Sequence, residues 1–579
     1  MNLYHTPFSV FGAYIGITAP TEDKEVPYLS LKSLHSKSKS HLESMTLFSF
    51  DTVTQKPLPF HYDACYSHIK MISPISNVSI TFDGEKRIII DGSGSGLQLD
   101  TKPLFNFEYN YLLGNKNQPY CIVNSCKNHT KYLIYTSSGQ IKLHQELLYD
   151  VTGRASKSQN TSLLTVLPDE DGRFTCIIED MPTHGIVPLE ITPSYQEAED
   201  RTRKTFDSFW DKCPLVSNQY KKTLQEAAYV LWSSTVHPHG YLGQYTIYAS
   251  NKDFPASFSW DHAFNALGLV HIDQDLAWKQ MTAILDHQDE WGQVPDFVGD
   301  TSMEWNFSKP PVQGLFFRKM MSHMDFTREQ KEYVIEKVEK QILYFLKYKD
   351  SNQDGIPEYH HGNDSGHDNS SVFHELVPVD SPDLTAFLIE AMVTIIQLSR
   401  ELGEDEKARF WEEKFDFFLN KFLSYFLVDG LPVARKTMTG DVINSEAILP
   451  YISIILGDKL PKETVKSICE LILSSKYLTK WGIASEAIDS PKYIDDAYWR
   501  GPIWAPSTLL IVEALEECGY IPEAMSICER FCEMVKTHGF AENFNALTGE
   551  GLRDKSFTWT ASTFIHLAAK LYVYGQQDD

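Results

Sequence analysis

The pattern of hydrophobic and polar positions changes near residue 195. Before that point, short β-branched and aromatic runs alternate with turn residues, as in ISNVSITFDGEKRIII and KYLIYTSSGQIKLHQ. Runs of this length and spacing predict an antiparallel β-sandwich. Asp83-Gly84 and Ser138-Gly139 are dipeptides typical of hairpin turns. We therefore predict an amino-terminal β-sandwich-like domain over residues 1–194.

From residue 195 onward, apolar residues recur three and four positions apart, which is the period of an amphipathic helix. Thr327 and Gln330 form a capping box, and Ser381 precedes a proline at a first helical position. Further predicted helices cover 262–288, 383–402, 405–427, 463–475, 502–518, 521–537 and 558–575, and 308–323 and 444–455 are additional candidates. No strand pattern interrupts this region, which favours a toroid of helix pairs over an α/β sheet. We predict a helical linker at 195–214 and a helical domain at 215–579.

Composition and charge narrow the class of protein. With 42% hydrophobic and 22% charged residues, the chain is typical of a folded protein. A net charge of −25 disfavours nucleic acid and anionic membranes as partners. The first residues lack a secretory pattern, so a cytoplasmic location is expected. The 13% aromatic content suits either ligand stacking or a large helical core. Nothing in the sequence indicates an oligomeric state.

Long loops between the predicted helices hold candidate ligand-binding residues. Trp260 and Asp261 come directly before an apolar helix, where Asp261 is either an N-cap or a ligand-binding carboxylate. Trp291 and Gln313 follow in the next loop. Indole rings beside carboxylates and amides suit a sugar, because the C–H faces stack on the rings and the hydroxyl groups take paired hydrogen bonds.

A polar segment at 350–361 resembles half of a calcium loop. Asp350, Asn352 and Asp354 match its opening ligands, but His361 occupies the position of the closing glutamate. The sequence therefore excludes an EF-hand and favours Asx turns, with a structural calcium ion as the alternative. No other metal or cofactor is expected.

Two acidic residues are candidates for acid–base chemistry. Asp368 lies among other carboxylates, which raise one another's pKa, as a general acid requires. Glu542 lies in AENFN, and the spacing alone leaves a surface acid as an alternative to a catalytic one.

Six motifs occur in order along roughly 215–575: SWDHAF, PPVQG, DGIPE, SGHDNS, YWRGPIW and ENFNALTGEG followed by FTWTA. Together they resemble the motifs of glycoside hydrolase family 63, the processing α-glucosidase family. They are also similar to the mannosylglycerate and glucosylglycerate hydrolases of the family 63 group and, more distantly, to family 37 trehalases.

The resemblance implies an (α/α)6 barrel and inversion at the anomeric carbon. It implies that Asp368 is the general acid and Glu542 the general base. The acid motif reads G-H-D-N where the family commonly has G-W-D-N, so His367 replaces an indole. The predicted substrate-binding residues are Trp260, Asp261, Trp291, Gln313, His367, Asn369, Tyr498, Trp499, Arg500, Trp504 and Trp559.

We therefore predict an inverting, exo-acting glycosidase that cleaves an α-glycosidic bond in an α-glucoside, a small oligosaccharide or a glycosyl-glycerate. The charge of Arg500 suits a carboxylate such as that of glycerate. However, the motif is expected to contain this arginine whatever the substrate. One alternative is a carbohydrate-binding protein without hydrolytic activity. Another is a sugar isomerase or lyase on the same toroid, with histidines as proton carriers: His360, His361, His367 and His374.

Overall fold

A computed structural model describes residues 1–35, 43–101, 109–115, 118–125, 128–146, 161–181, 193–375 and 377–576. The chain forms two compact units. The amino-terminal unit contains Met1–Asp211, Tyr229–Ala256 and Gly299–Ser302, and the helical unit contains Lys212–Ala228, Ser257–Val298 and Met303–Asp579. The chain thus passes between the units several times, whereas the sequence-based limits at 194 and 214 assume one passage. Those limits stay a prediction.

The amino-terminal unit contains two large antiparallel sheets. Its strands are β1 (Ile15–Thr18), β2 (Glu25–Val26), β3 (Leu29–Ser33), β4 (Glu43–Phe50), β5 (Phe60–Ala64), β6 (Ile69–Ile72), β7 (Asn77–Asp83), β8 (Arg87–Ser93), β9 (Gly96–Asp100), β10 (Tyr109–Asn115), β11 (Gln118–Ser125), β12 (Thr130–Ser138), β13 (Gln140–Glu146), β14 (Thr161–Leu167) and β15 (Arg173–Met181). One sheet has the order β1-β3-β4-β9-β14-β13, and the other has the order β10-β11-β12-β15-β8-β7-β6-β5-β2. The predicted antiparallel β architecture of this region is therefore confirmed.

Burial along these strands follows the sequence pattern. β5 and β6 alternate between buried and exposed residues, as half-buried strands do. Ile88, Ile89 and Ile90 of β8 are all buried, so both faces of the sheet are covered at this strand.

The two predicted hairpins have different outcomes. Asp83 is the last residue of β7, and Gly84, with φ +69°, begins the turn that joins β7 to β8 as predicted. The hairpin predicted at Ser138-Gly139 is wrong, since β12 pairs in one sheet and β13 in the other. Gly139, with φ +87°, turns the chain from sheet to sheet. Turn residues encode a reversal of direction but not the sheet that receives the next strand.

Twelve α-helices occur among the described residues: α1 (Tyr195–Trp210), α2 (Lys221–Ser233), α3 (Asp261–Leu269), α4 (Gln274–Leu285), α5 (Gln313–Met321), α6 (Arg328–Tyr348), α7 (Pro382–Leu402), α8 (Asp405–Lys421), α9 (Lys462–Ile472), α10 (Ala505–Glu517), α11 (Ile521–His538) and α12 (Thr558–Gly575). The segment Leu449–Lys459 is a 3-10 helix, and α8 continues into a π-helical turn at Phe422–Phe426. Two-residue strands between helices include Ser257–Phe258 and Asn543–Phe544.

Several helix ends follow the sequence signals. The capping box of α6 is present, with Thr327 Oγ1 accepting a hydrogen bond from Gln330 N at 3.2 Å. Pro382 begins α7 as predicted, but the Ser381 hydroxyl donates to the Asp383 carboxylate rather than capping the backbone. The single helix predicted at 262–288 is two helices. Asp273 caps the second by accepting from Leu276 N at 3.0 Å.

Helix α7 is long and apolar enough to cross a membrane by length and composition alone. However, 83% of its most apolar window is buried inside the protein. A helix that is apolar on most sides is equally typical of a protein core.

Candidate active site

The loop that carries Asp368 depends on two glycines. Gly366 ends a 3-10 turn with φ +74°, and a Cβ there would lie 3.1 Å from the Trp260 indole. A Cβ on Gly362 would lie 2.0 Å from the carbonyl oxygen of Asp368. Glycine is therefore required at both positions for the backbone to hold Asp368 where it is.

Asp368 shares a cation with a second carboxylate. Lys309 Nζ lies 3.7 Å from Asp368 Oδ1 and 3.7 Å from Asp296 Oδ1, and it donates to Asn363 at 2.7 Å. Burial raises the pKa of Asp368, while Lys309 lowers it. Burial likewise raises the pKa of Asp296 to about 6. The Asp368 side chain is 34% exposed, so solvent and a ligand can reach it.

Glu542 is held by its backbone and by its carboxylate. Its N–H donates to Asp554 O at 2.7 Å, and its carbonyl accepts from Trp559 Nε1 at 3.1 Å. Tyr498 donates its hydroxyl hydrogen to Glu542 Oε1 at 2.9 Å. Glu542 is only 2% exposed, so the alternative of a surface acid is wrong.

Tyr498 connects the two predicted catalytic residues. Burial, followed by the negative charges of Glu542 and Asp368, raises its pKa far above the ordinary value, so the phenol stays protonated and donates. Its backbone has φ +63°, an uncommon conformation for a tyrosine. Such strain persists only where the surroundings fix it, and it concentrates at functional sites. The Tyr498 hydroxyl group therefore bonds to Glu542 and lies within the electrostatic influence of Asp368.

Asp261 is the first residue of α3, and Trp260 is its N-cap, so the capping role considered for Asp261 is wrong. Burial, together with the charges of Glu542 and Asp296, raises the pKa of Asp261 to about 8, although Lys309 opposes this. The carboxyl group is therefore mostly protonated at neutral pH. We refer to Asp261, Asp296, Asp368 and Glu542 as the carboxylate cluster.

Asn369 joins the loop of Asp368 to the loop of Tyr498. Its side chain donates to Ala497 O at 2.9 Å and accepts from Trp499 N at 2.8 Å. Asn369 was predicted to bind substrate. Both the nitrogen and the oxygen of its amide group are instead used in hydrogen bonds within the protein.

Three rings predicted to contact a sugar form an internal stack. Trp499 has His367 on one face, with centroids 3.9 Å apart, and Trp504 on the other, at 3.8 Å. Trp504 in turn meets Trp559 edge to face at 5.6 Å. Because both faces of Trp499 are covered, it cannot stack on a sugar, and that part of the prediction is corrected. Burial lowers the pKa of His367 to about 3, so its ring is neutral.

Two other predicted residues do not present free groups to this cluster. Gln313 donates to Ser259 O and accepts from Gln341, each at 2.8 Å, so it fixes the segment before Trp260. Trp291 is 55% exposed and packs edge to face against Tyr348. The structure does not bring Trp291 to the carboxylate cluster, because this residue lies in a turn and packs on an exposed helix surface.

Arg500 is half-buried, and its Nε has no hydrogen-bond partner among the described residues. The pKa of His374 is lowered first by burial and then by the charge of Arg500.

The segment at 350–361 forms the expected Asx turns. Asp350 accepts from Asp354 N at 3.1 Å and from Gly355 N at 3.0 Å, and Asn352 donates to Asp354 at 2.9 Å. The calcium alternative stays a prediction.

Sequence reasoning missed Lys309 and the role of Asp296. The available signal was a lone lysine in SKPPVQG, between segments rich in carboxylates. No periodicity marks it, because its role arises only when its loop meets Asp296 and Asp368.

A sequence profile described as the mannosylglycerate hydrolase MGH1-like glycoside hydrolase domain matches residues 254–560. This match covers more than half of the chain and includes the whole carboxylate cluster. The protein is therefore a glycoside hydrolase. It belongs to the mannosylglycerate hydrolase MGH1-like family, and the resemblance to family 63 is confirmed. The alternatives of a binding protein and of an isomerase or lyase do not agree with this family.

Among relatives, mannosylglycerate hydrolase MGH1 of Selaginella moellendorffii is 22% identical, over 55% of this chain and 81% of the relative. Glucosylglycerate hydrolase of Mycolicibacterium hassiacum is 21% identical, over 54% and 91%.

Two solved structures show the fold. The family 63 mannosylglycerate hydrolase of Thermus thermophilus, in complex with Tris and D-glycerate, has a TM-score of 0.52 at 18% identity, over 59% of this chain and 98% of that one. A bacterial glucoamylase with acarbose has a TM-score of 0.64 at 9% identity, over 99% and 94%.

Proposed function

We propose that the protein is an inverting α-glycosidase in which Asp368 is the general acid and Glu542 the general base. The observation that supports this most directly is a pair of links at Tyr498: its hydroxyl group donates to Glu542, and Asn369, the neighbour of Asp368, bonds to Ala497 and Trp499 on either side of it. Two carboxyl groups that are distant in sequence are thereby brought to one place.

The two environments suit different roles. The raised pKa of Asp368 favours the protonated form, which gives its proton to the departing glycosidic oxygen. The hydrogen bond from Tyr498 supports the ionised form of Glu542, which draws a proton from the attacking water. Inverting glycosidases hold such groups about 6.5–9.5 Å apart, which leaves room for that water.

We assign the helices to an (α/α)6 barrel and the two sheets to a β-sandwich. The likeness to the bacterial glucoamylase over 99% of the chain supports this architecture. Residues from separate loops of such a barrel converge at one end, as the loops of Asp368 and Tyr498 do through Asn369.

The proposed substrate is an α-linked hexose on a small acid, in particular mannosylglycerate or glucosylglycerate. Relatives with these two activities and the structure solved with D-glycerate support this choice. Arg500 is the cation we assign to the substrate carboxylate, because it directly follows Trp499 in the loop that carries Tyr498. A small acid of this kind agrees with the expected cytoplasmic location, which cell fractionation tests.

The experiment compares the wild type with Asp368→Asn and Glu542→Gln on both glycosyl-glycerates and on α-linked disaccharides. Each substitution should lower turnover by about 10²- to 10⁴-fold and leave the thermal unfolding midpoint near that of the wild type. Glu550→Gln is the matched control, because Glu550 lies in the same loop and is exposed. Full activity in either catalytic variant would refute its role.

Stereochemistry provides a separate test. Proton NMR of a fresh reaction should show the β-anomer of the released sugar. Early accumulation of the α-anomer would mean retention and a different mechanism.

A further inference from the structure

Three histidine rings meet in the helical unit. His271 and His323 lie two residues beyond the ends of α3 and α5, and His566 lies within α12. The ring centroids are 4.9 Å apart for His271 and His323, 5.1 Å for His271 and His566, and 5.8 Å for His323 and His566. One ligand nitrogen of each ring lies within 4.8 Å of the other two. This geometry brings three potential metal ligands to one point.

The histidine group is separate from the carboxylate cluster. Asp261 begins α3 and His271 follows its end, so about 13 Å of helix separates them. Gln313 and His323 lie at opposite ends of α5 in the same way. A ligand at the histidines is therefore distinct from the glycoside substrate.

The surroundings of His271 and His323 disfavour a proton on either ring, and a histidine that binds a metal must be deprotonated. Burial, together with the neighbouring histidines, lowers the pKa of His271 to about 3. Burial and His566 also lower the pKa of His323. Three protonated rings at this spacing would repel one another.

Glu513 fixes the tautomer of His566. His566 Nε2 lies 3.0 Å from Glu513 Oε1, and Lys319 Nζ lies 3.1 Å from the other oxygen of that carboxylate. The carboxylate is thus an acceptor and Nε2 carries the proton. His566 Nδ1 then accepts a hydrogen bond from His271 Nε2 at 3.0 Å, and a bound metal ion would replace the hydrogen shared by these two nitrogens. Metal-binding histidines are commonly oriented by a carboxylate in this manner.

We propose that His271, His323 and His566 bind one zinc-type divalent transition-metal ion, with water as the fourth ligand. Imidazole nitrogens are preferred ligands of such ions. Zn–N bonds of about 2.0–2.1 Å place tetrahedral nitrogens roughly 3.3 Å apart, close to the spacing of His271 and His566. His323 is exposed, so it can close onto the ion from the solvent side. The ion would tie α3, α5 and α12 together.

The surrounding charges permit a cation. Lys319 and Lys570 both contact Glu513, but they also pair with Glu517 and Glu516. The three carboxylates thus carry one more negative charge than the two ammonium groups carry positive charge.

A second group with ligand spacing occurs in the amino-terminal unit, namely His35, His239 and Asp300. Both ring nitrogens of His35 are already bonded to carboxylates, to Asp300 at 2.5 Å and to Asp180 at 2.9 Å. We interpret that group as an ion-pair network, and it provides a control.

The test titrates the metal-free, untagged full chain with zinc sulfate by calorimetry and with cobalt chloride by visible absorption. We expect one equivalent to bind, the absorption of tetrahedral cobalt, and a higher midpoint of thermal unfolding. His323→Ala keeps the fold because this residue is exposed, and it should weaken binding at least about tenfold. It should also abolish the rise in midpoint.

His287→Ala and His239→Ala are the controls and should bind as the wild type does. His287 is a half-buried histidine of the helical unit outside the group. The proposal is refuted if zinc does not bind, if His323→Ala binds normally, or if His239→Ala rather than His323→Ala loses the ion. None of these outcomes depends on the glycosidase activity.

Discussion

Two buried groups of carboxylates in this protein have opposite electrostatics. In the helical unit, burial raises the pKa of Asp261 to about 8 and that of Asp296 to about 6. In the amino-terminal unit, Asp300 is equally buried, yet hydrogen bonds from His239 and His35 outweigh burial and lower its pKa to about 2. Asp180 and Asp300 in turn outweigh burial to raise the pKa of His35 to about 10.

The difference lies in the partner cation. His35 bonds directly to two carboxylates, at 2.5 and 2.9 Å, so the charged forms are paired. Lys309 lies 3.7 Å from each of two carboxylates and gives its hydrogen bonds to Asn363. Lys309 therefore compensates only part of the negative charge. The carboxylate cluster can thus exchange protons near neutral pH, as acid–base catalysis requires. The His35 network is committed to stability instead.

The largest effect should come from His35→Gln, which keeps the size of the side chain and a donor but removes the charge. Two buried carboxylates lose their cation, so the free energy of unfolding at pH 7 should fall by about 3–5 kcal/mol. Denaturant unfolding measures this, with the exposed His144→Gln as the control, because His144 is 65% exposed.

The pH dependence of His35→Gln sharpens this test. Since its folded-state pKa is raised, the stability from His35 is complete below about pH 6.5 and declines as the pH rises through about 10. The stability difference between wild type and variant should shrink over that window. A difference that stays constant from pH 6 to 10 would contradict the charged network.

Tyr498→Phe should have the next largest effect, now on turnover. Glu542 loses a donor to its ionised carboxylate, a contact worth about 1.5–3 kcal/mol, so kcat should fall roughly tenfold to a hundredfold. A stopped assay on the preferred substrate measures this. Unchanged kcat would show that the hydroxyl group does not support the base.

Lys309→Met should cost less stability than His35→Gln, about 1–3 kcal/mol. The reason is that Asp296 and Asp368, with pKa values already raised, can take up protons when the cation is lost. Because Lys309 lowers the pKa of Asp368, the alkaline limb of the kcat–pH profile should move to higher pH. A limb that moves to lower pH would mean that another group is the acid.

The smallest effect should come from Trp559→Phe, which removes one N–H donor to the carbonyl of Glu542. The loss of this neutral hydrogen bond should cost about 0.5–1.5 kcal/mol in transition-state stabilisation. Steady-state kinetics measures the loss. An effect larger than that of Tyr498→Phe would show that the backbone position of Glu542 matters more than its carboxylate contact.

Local sequence signals predicted much of the fold but little of the detail of the site. The capping box at Thr327 and the turn at Gly84 act over a few residues, so both were predictable. The sheet change at Gly139 depends on distant strands, and no local pattern encodes it. The motifs identified Asp368 and Glu542 as candidates. They could not show that Trp499 has both faces covered, because this stacking depends on the loop of His367 meeting the segment that carries Trp499 and Trp504.

The repeated passage of the chain between the two units has a practical consequence for dissecting this protein. A fragment truncated to start near residue 215 would retain Asp300 but lack His35, which bonds to it. In such a fragment the Asp300 carboxylate would lose the positive charge of His35 that neutralises it in the intact protein. Attempts to produce either half alone should therefore begin by redesigning that position rather than by choosing a different cut.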